Sequence, residues 1–172
     1  MKPGLLACLL GLQVGSSMQQ MLTSDVGATN DVFGYTASTV GNQVLIGAYG
    51  EDSNQGAAYL FDYSNSVFTQ SNRLVASDGA ASDEFGFSVG YFGTNAIIGA
   101  PVADNSFINQ GAAYIYDAVM AETILTSPNP EANGQFGYSV AISSNYAIVG
   151  ALVESVGGNS FTGRAYCFEF TA

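Results

Sequence analysis

The chain has 172 residues, of which 48 % are apolar and only 10 % charged; three Lys plus Arg stand against fourteen Asp plus Glu, for a net charge of −11. The length suits one domain with a real core, and the apolar share argues against disorder. The charge repels phosphate backbones and anionic lipid headgroups, which speaks against nucleic acid as a partner and against membrane binding. No His is present, so His-dependent triads, His-ligated zinc or haem and imidazole acid–base chemistry are excluded.

In chain order, Lys2 precedes the apolar run Leu5-Leu6-Ala7-Cys8-Leu9-Leu10, and the small residues Gly15, Ser16 and Ser17 follow. That layout predicts a signal peptide over residues 1–16, too short to span a bilayer. The alternatives are a first strand or a gene start inside a longer protein. Seven residues before Cys8 are too few for a lipoprotein acylation box. If the leader is removed, Cys167 is the only cysteine, and no intrachain disulfide can form. Its strand context reads as a buried, inert thiol.

The rest of the chain repeats. Phe33-Gly34-Tyr35, Phe85-Gly86-Phe87 and Phe136-Gly137-Tyr138 recur at steps of 52 and 51. Gly47-Ala48, Gly99-Ala100 and Gly150-Ala151 follow each at an offset of fourteen, and then come Gly56-Ala57-Ala58-Tyr59, Gly111-Ala112-Ala113-Tyr114 and Gly163-Arg164-Ala165-Tyr166. Each unit reads as four strands. The first, as in Phe85 to Val89, alternates and carries its aromatics on one face. The second (Val44-Leu45-Ile46, Ala96-Ile97-Ile98, Ala147-Ile148-Val149) is apolar on both faces and so buried on both. The third follows the second glycine, and the fourth, Phe68 to Ala76 and around Thr123 to Thr126, is more polar. Gly-Ala marks places where neighbouring sheets approach too closely for a larger side chain. Four short strands repeating at this length predict propeller blades. The fold class is therefore all-β, β-propeller-like, with three four-stranded antiparallel blades at about 17–68, 69–120 and 121–172.

These residues resemble the FG-GAP repeat family, the blades of integrin-alpha-type β-propellers. The middle unit fits best, with Asp78-Gly79-Ala80, Phe85-Gly86-Phe87-Ser88-Val89, Gly99-Ala100-Pro101 and Gly111-Ala112-Ala113-Tyr114. The resemblance spans about residues 17–172. It implies a fold shared by adhesion, ligand-binding and accessory domains, and no single function. The calcium loop of some members is an Asp-x-Asp-x-Asp-Gly run. Here Thr39 to Gln43, Tyr91 to Asn95 and Ser143 to Asn145 stand in its place without a carboxylate, so no metal and no cofactor is expected.

Propellers close with four to eight blades, so three blades form an incomplete propeller unless another chain completes it. Ser17 to Asp25 aligns with the stretch around Gln70 to Asp78, a fourth strand that precedes its own set. The C-terminus stops just after the third strand of the last unit. The N-terminal strand is therefore expected to complete the last blade of a neighbouring copy, as a dimeric ring or a filament. A fragment of a longer propeller is the alternative.

Catalysis finds few parts. Asp78 with Asp83, or Asp52 with Asp104, are the only carboxylate pairs to consider for glycoside cleavage. Both sit in repeated turns, so no enzyme activity is expected. The loops between second and third strands, Tyr49–Gln55, Pro101–Gln110 and Leu152–Thr162, differ in length and emerge on one edge. Tyr49, Glu51, Asp52, Asp104, Phe107 and Phe161 are the candidate interaction residues there. A secreted, non-enzymatic interaction or adhesion module with a protein or glycan partner is the expected role. A self-assembling structural subunit is the alternative.

Overall fold

The structure, a computed structural model, describes residues 20–169. Eleven strands form three antiparallel sheets among them. Sheet 1 runs β1 (Thr36–Val40), β2 (Gln43–Ala48), β3 (Ala57–Ser64) and β4 (Val67–Leu74) in spatial order. Sheet 2 repeats this with β5 (Ser88–Phe92), β6 (Asn95–Ala100), β7 (Ala112–Tyr116) and β8 (Glu122–Leu125). Sheet 3 holds only three strands, β9 (Phe136–Ile142), β10 (Tyr146–Ala151) and β11 (Arg164–Glu169). The third blade thus departs from the four-stranded pattern, with the place beside β11 empty among the described residues. The other expected strands form close to where the repeat puts them. The architecture is that of incomplete propeller blades.

The expected leader over residues 1–16 lies outside the described residues, and so does the start of the expected strand at Ser17. Its described part, Gln20 to Asp25, is not a strand. Instead, the Gln20 amide bonds both backbone groups of Phe68 (2.8 and 2.7 Å). The Asp25 N–H donates to Gln70 Oε1 (3.2 Å). Leu22 packs on the apolar face of sheet 1 around Tyr59 and Phe61.

The core lies between sheets. Leu45, Leu60 and Leu74 of sheet 1 meet Phe85, Ile98 and Tyr114 of the second blade, and Ile97 and Ala113 of sheet 2 meet Phe136, Ala147 and Val149 of the third. The middle strands β2 and β6 are buried on both faces, as their unbroken apolar runs require. Glycine permits the approach. A Cβ on Gly99 would stand 2.9 Å from the carbonyl carbon of Gly137, and one on Gly47 would stand 3.0 Å from that of Gly86, with the oxygen nearer in each case. Backbone hydrogen bonds also cross between blades. Phe85 N–H donates to Gln55 O (3.0 Å) and Phe136 N–H to Gln110 O (2.8 Å).

The alternation expected for the first strand fails at the Phe-Gly step. Gly34, Gly86 and Gly137 have φ of 89°, 90° and 91°, a left-handed conformation open to glycine at little cost. The reversal sends the two aromatics that flank each glycine to different places. The leading Phe enters its own blade, where Phe85 meets Tyr114 with ring centroids 5.2 Å apart. The trailing aromatic turns to the rim.

The candidate interaction face

Each first strand starts, and each second strand ends, at the same end of its sheet. The long loops and the trailing aromatics therefore share that end. There Tyr35, Phe87 and Tyr138, one from each blade, form a row with centroid spacings of 5.1 and 5.0 Å. Tyr49 leans on it, 4.6 Å from Tyr35 and 5.7 Å from Phe87. Aromatic pairs at such distances and tilts add packing energy beyond their area. Tyr35 and Tyr138 still leave 49 % and 39 % of their surface open. Sequence reading singled out Tyr49 but missed the row. The signal was present in the aromatic that follows each Phe-Gly.

The other candidates separate by burial. Phe107 and Phe161 stand out from their loops at 46 % and 78 % exposure, joined by Ile108 at 67 %. Asp52 is exposed, in the turn Glu51–Asn54, where Asp52 and Ser53 are left-handed (φ 49° and 62°). Asp104 is exposed and accepts the Asn109 N–H (2.7 Å), which shapes its own loop. Glu51 is buried, and its carboxylate is engaged internally. It accepts from the Tyr59 hydroxyl and from Arg73 Nε (2.7 Å).

That internal use recurs in every blade. Tyr59, Tyr114 and Tyr166 occupy one repeat position, and each hydroxyl donates to a carboxylate, namely Glu51, Asp78 (2.9 Å) and Glu154. Position 103, between Glu51 and Glu154 in the repeat, is Ala, and Asp78 from the preceding turn takes over there. Both arginines of the described residues join these groups, Arg73 at Glu51 and Arg164 at Glu154 (Nε to Oε2 3.8 Å). Burial, reinforced by the bond to Glu51, pushes the Tyr59 phenol up to about 12. Burial, with Asp78 beside it, raises Tyr114 further.

Asp31 and Asp83 are a second repeated pair of buried acids. Each accepts the N–H three residues back, from Ala28 and Ala80. Desolvation, with help from the Asp104 and Asp78 charges, pushes Asp83 above its usual range. Of the carboxylate pairs considered for cleavage, Asp78 and Asp83 do lie within each other's field. Yet Asp78 is held by Tyr114 and Asp83 by Ala80, so both serve the turn. No group of three or more His, Cys, Asp or Glu able to hold a metal occurs among the described residues. No described helix is long and apolar enough to cross a membrane.

A search of curated proteins finds no match to this chain. The FG-GAP repeat family model matches three times, over residues 17–61, 68–116 and 119–168. Each segment holds the first three strands of one sheet, and the second and third open with the fourth strand of the sheet before, β4 and β8, with the Phe-Gly turns and the Gly-Ala pairs in register. FG-GAP repeats are found in propeller or adhesion-type modules that typically mediate protein interactions, are typically extracellular and are generally not catalytic. With most of its length matched in three in-register units, the chain belongs to the FG-GAP repeat family.

Proposed function

We propose that the chain is a secreted or cell-surface interaction module without enzymatic activity, which binds a protein partner at the loop end of its blades. The observation that carries this reading is the set of exposed apolar side chains Phe107, Ile108 and Phe161. They project from long loops at the same end as the half-open aromatic row. Large apolar side chains held out on rigid elements have no folding role there, and aromatic anchors dominate binding energy at interfaces. A leader over residues 1–16 would deliver the blades outside the cell, in keeping with the family's usual location. The absence of His from the sequence and the internal engagement of Glu51, Asp78 and Asp83 support a binding role over a catalytic one.

The test compares the chain with Phe107→Ser/Phe161→Ser on surface-protein and glycan arrays. Loss of a protein ligand by a variant with unchanged circular dichroism supports the reading. A ligand retained in full, or one found only among glycans, refutes it. Mass spectrometry of the exported product checks the leader, with a mature start near residue 17 expected.

A further inference from the structure

Sheet 3 repeats one half of an interface that the chain makes twice within itself, and sheet 1 repeats the other half. At the first two junctions, Gly47 and Gly99 face the backbone of Gly86 and Gly137 of the next blade. Gly150 holds the same repeat position, yet the atoms nearest to it all belong to Ser139 of its own sheet, the hydroxyl foremost. Its φ is not positive, so the local backbone does not demand glycine. Ser88 donates to Gly137 O across the second junction (2.8 Å), whereas Ser139, its counterpart, crosses to nothing among the described residues. Thr162 holds the place of Gln55 and Gln110, whose carbonyls accept Phe85 and Phe136 N–H. Ile148 is 48 % exposed where Leu45 and Ile97 are fully buried. At the other end of the chain, a Cβ on Gly86 or Gly137 would stand 3.1 Å from the carbonyl carbon of Ala57 or Ala112, but around Gly34, with φ of 89°, nothing lies within 4 Å.

The edges match as well. Leu74 and Leu125 end the fourth strands of sheets 1 and 2, eleven residues before Phe85 and Phe136, and pair with Ala58 and Ala113. Leu22 stands eleven residues before Phe33 and packs on the front of sheet 1, as the end of a preceding fourth strand would. The strand that could pair with it, β11, has an empty edge among the described residues. A cavity of about 630 Å³ lined by Ile115, Thr123, Leu125 and Phe168 opens beside that edge.

We infer that the open face and edge of sheet 3 receive the first blade of a second copy of this chain. The Phe33-Gly34-Tyr35 turn of that copy seats on Gly150 and Gly163, and its Leu22 segment seats along β11. One copy carries both halves, so the contact runs head to tail. Two copies give six blades, within the closed range of four to eight, and a rotation that misses closure gives a filament. Each copy carries −11, and the contact is made of apolar side chains and backbone. Salt that screens the charge therefore tightens the association. This inference meets the loop-end reading at Tyr35 and beside the Leu152–Thr162 loop, and the rest of the contact lies on the outer faces of the first and last blades.

The register supplies the test. Cys167, expected from its strand context to be buried, is exposed, because no fourth strand covers β11 among the described residues. Leu60 pairs with Asn72 and Ile115 with Thr123, so Cys167 faces Gln20 of the second copy. Opposed cross-strand residues have Cα atoms about 4.5–5.5 Å apart, within disulfide range. The full chain carrying Cys8→Ser and Gln20→Cys, under mild oxidation, is expected to give a reducible covalent pair or ladder. Ser144→Cys in place of Gln20→Cys gives none. Adding Ile148→Glu, which alters an exposed side chain, abolishes the cross-link. Light scattering of the unmodified chain shows a fixed two-copy mass or a mass that climbs with concentration, and either supports head-to-tail docking. A monomer at every concentration overturns the inference. So does a cross-link that Ser144→Cys equals or that survives Ile148→Glu.

Discussion

Gly99→Ala and Gly150→Ala make the same change at the same repeat position, and their costs should differ several-fold. The Cβ added by Gly99→Ala would stand 2.9 Å from the carbonyl carbon of Gly137. Carbon atoms rest at about 3.5–4.0 Å and the carbonyl oxygen is nearer still, so the second and third blades must part by about 1 Å or more. The obstacle is backbone, anchored by Phe136 N–H to Gln110 O and by Ser88 Oγ to Gly137 O, both 2.8 Å. Overpacking costs about 1–3 kcal/mol and each loosened hydrogen bond about 1 kcal/mol, which gives about 3–5 kcal/mol in all. At Gly150 only the Ser139 hydroxyl is in the way. Turning it to another rotamer limits the loss to about 1 kcal/mol or less. Urea titrations followed by circular dichroism, at low protein concentration so that copies stay apart, measure both. Equal losses, or a loss below about 1 kcal/mol for Gly99→Ala, would refute the argument that backbone contact between blades is what these glycines protect.

Arg73→Ala leaves the Glu51 carboxylate buried with only Tyr59 as a side-chain partner. Because Arg73 is itself about one-third exposed, a loss of about 2–3 kcal/mol is expected, below the range for a fully buried pair, and thermal denaturation reads it. Alkaline titration should unfold the chain steeply. Unfolded phenols ionise near 10, whereas Tyr59 holds its proton to about 12 and burial raises Tyr114 and Tyr116 further. The stabilisation is therefore complete below pH 10 and falls as pH rises through the folded values. Ultraviolet phenolate absorbance should rise together with loss of structure, and ionisation of these three in a still-folded chain would contradict it. Phe107→Ser and Phe161→Ser should leave stability within about 0.5 kcal/mol of the parent chain, as thermal melts can show.

The repeat made most of the fold readable. Its steps of 52 and 51, the buried second strand and the Gly-Ala pair each express a backbone requirement, and backbone requirements recur wherever the geometry recurs. The carboxylate under each tyrosine did not show, because only a partner for the hydroxyl is required. Glu51, Asp78 and Glu154 meet that need from different positions. For the same reason Glu51 reads in the sequence as a loop residue open to a partner, whereas it is buried. The aromatic row escaped because alternation was counted straight through Gly34, Gly86 and Gly137, where a positive φ resets it. Of the fourth strand expected at Ser17 to Asp25, the described part, Gln20 to Asp25, joins no sheet, and Gln20 bonds Phe68 through its side chain instead.

Because neighbouring blades are joined by backbone contacts at each junction, the chain behaves as a short stack in which every layer feels only the next. Sheet 2 has a neighbour on both sides. Sheet 3 has one, and its outer face is bare at Ile148. Unravelling should therefore start from the β11 side and travel inward. Amide exchange would be slowest along β6 and fastest along the edge of β11. A second copy seated there would reverse that order, turning the least protected layer of the single chain into an interior one.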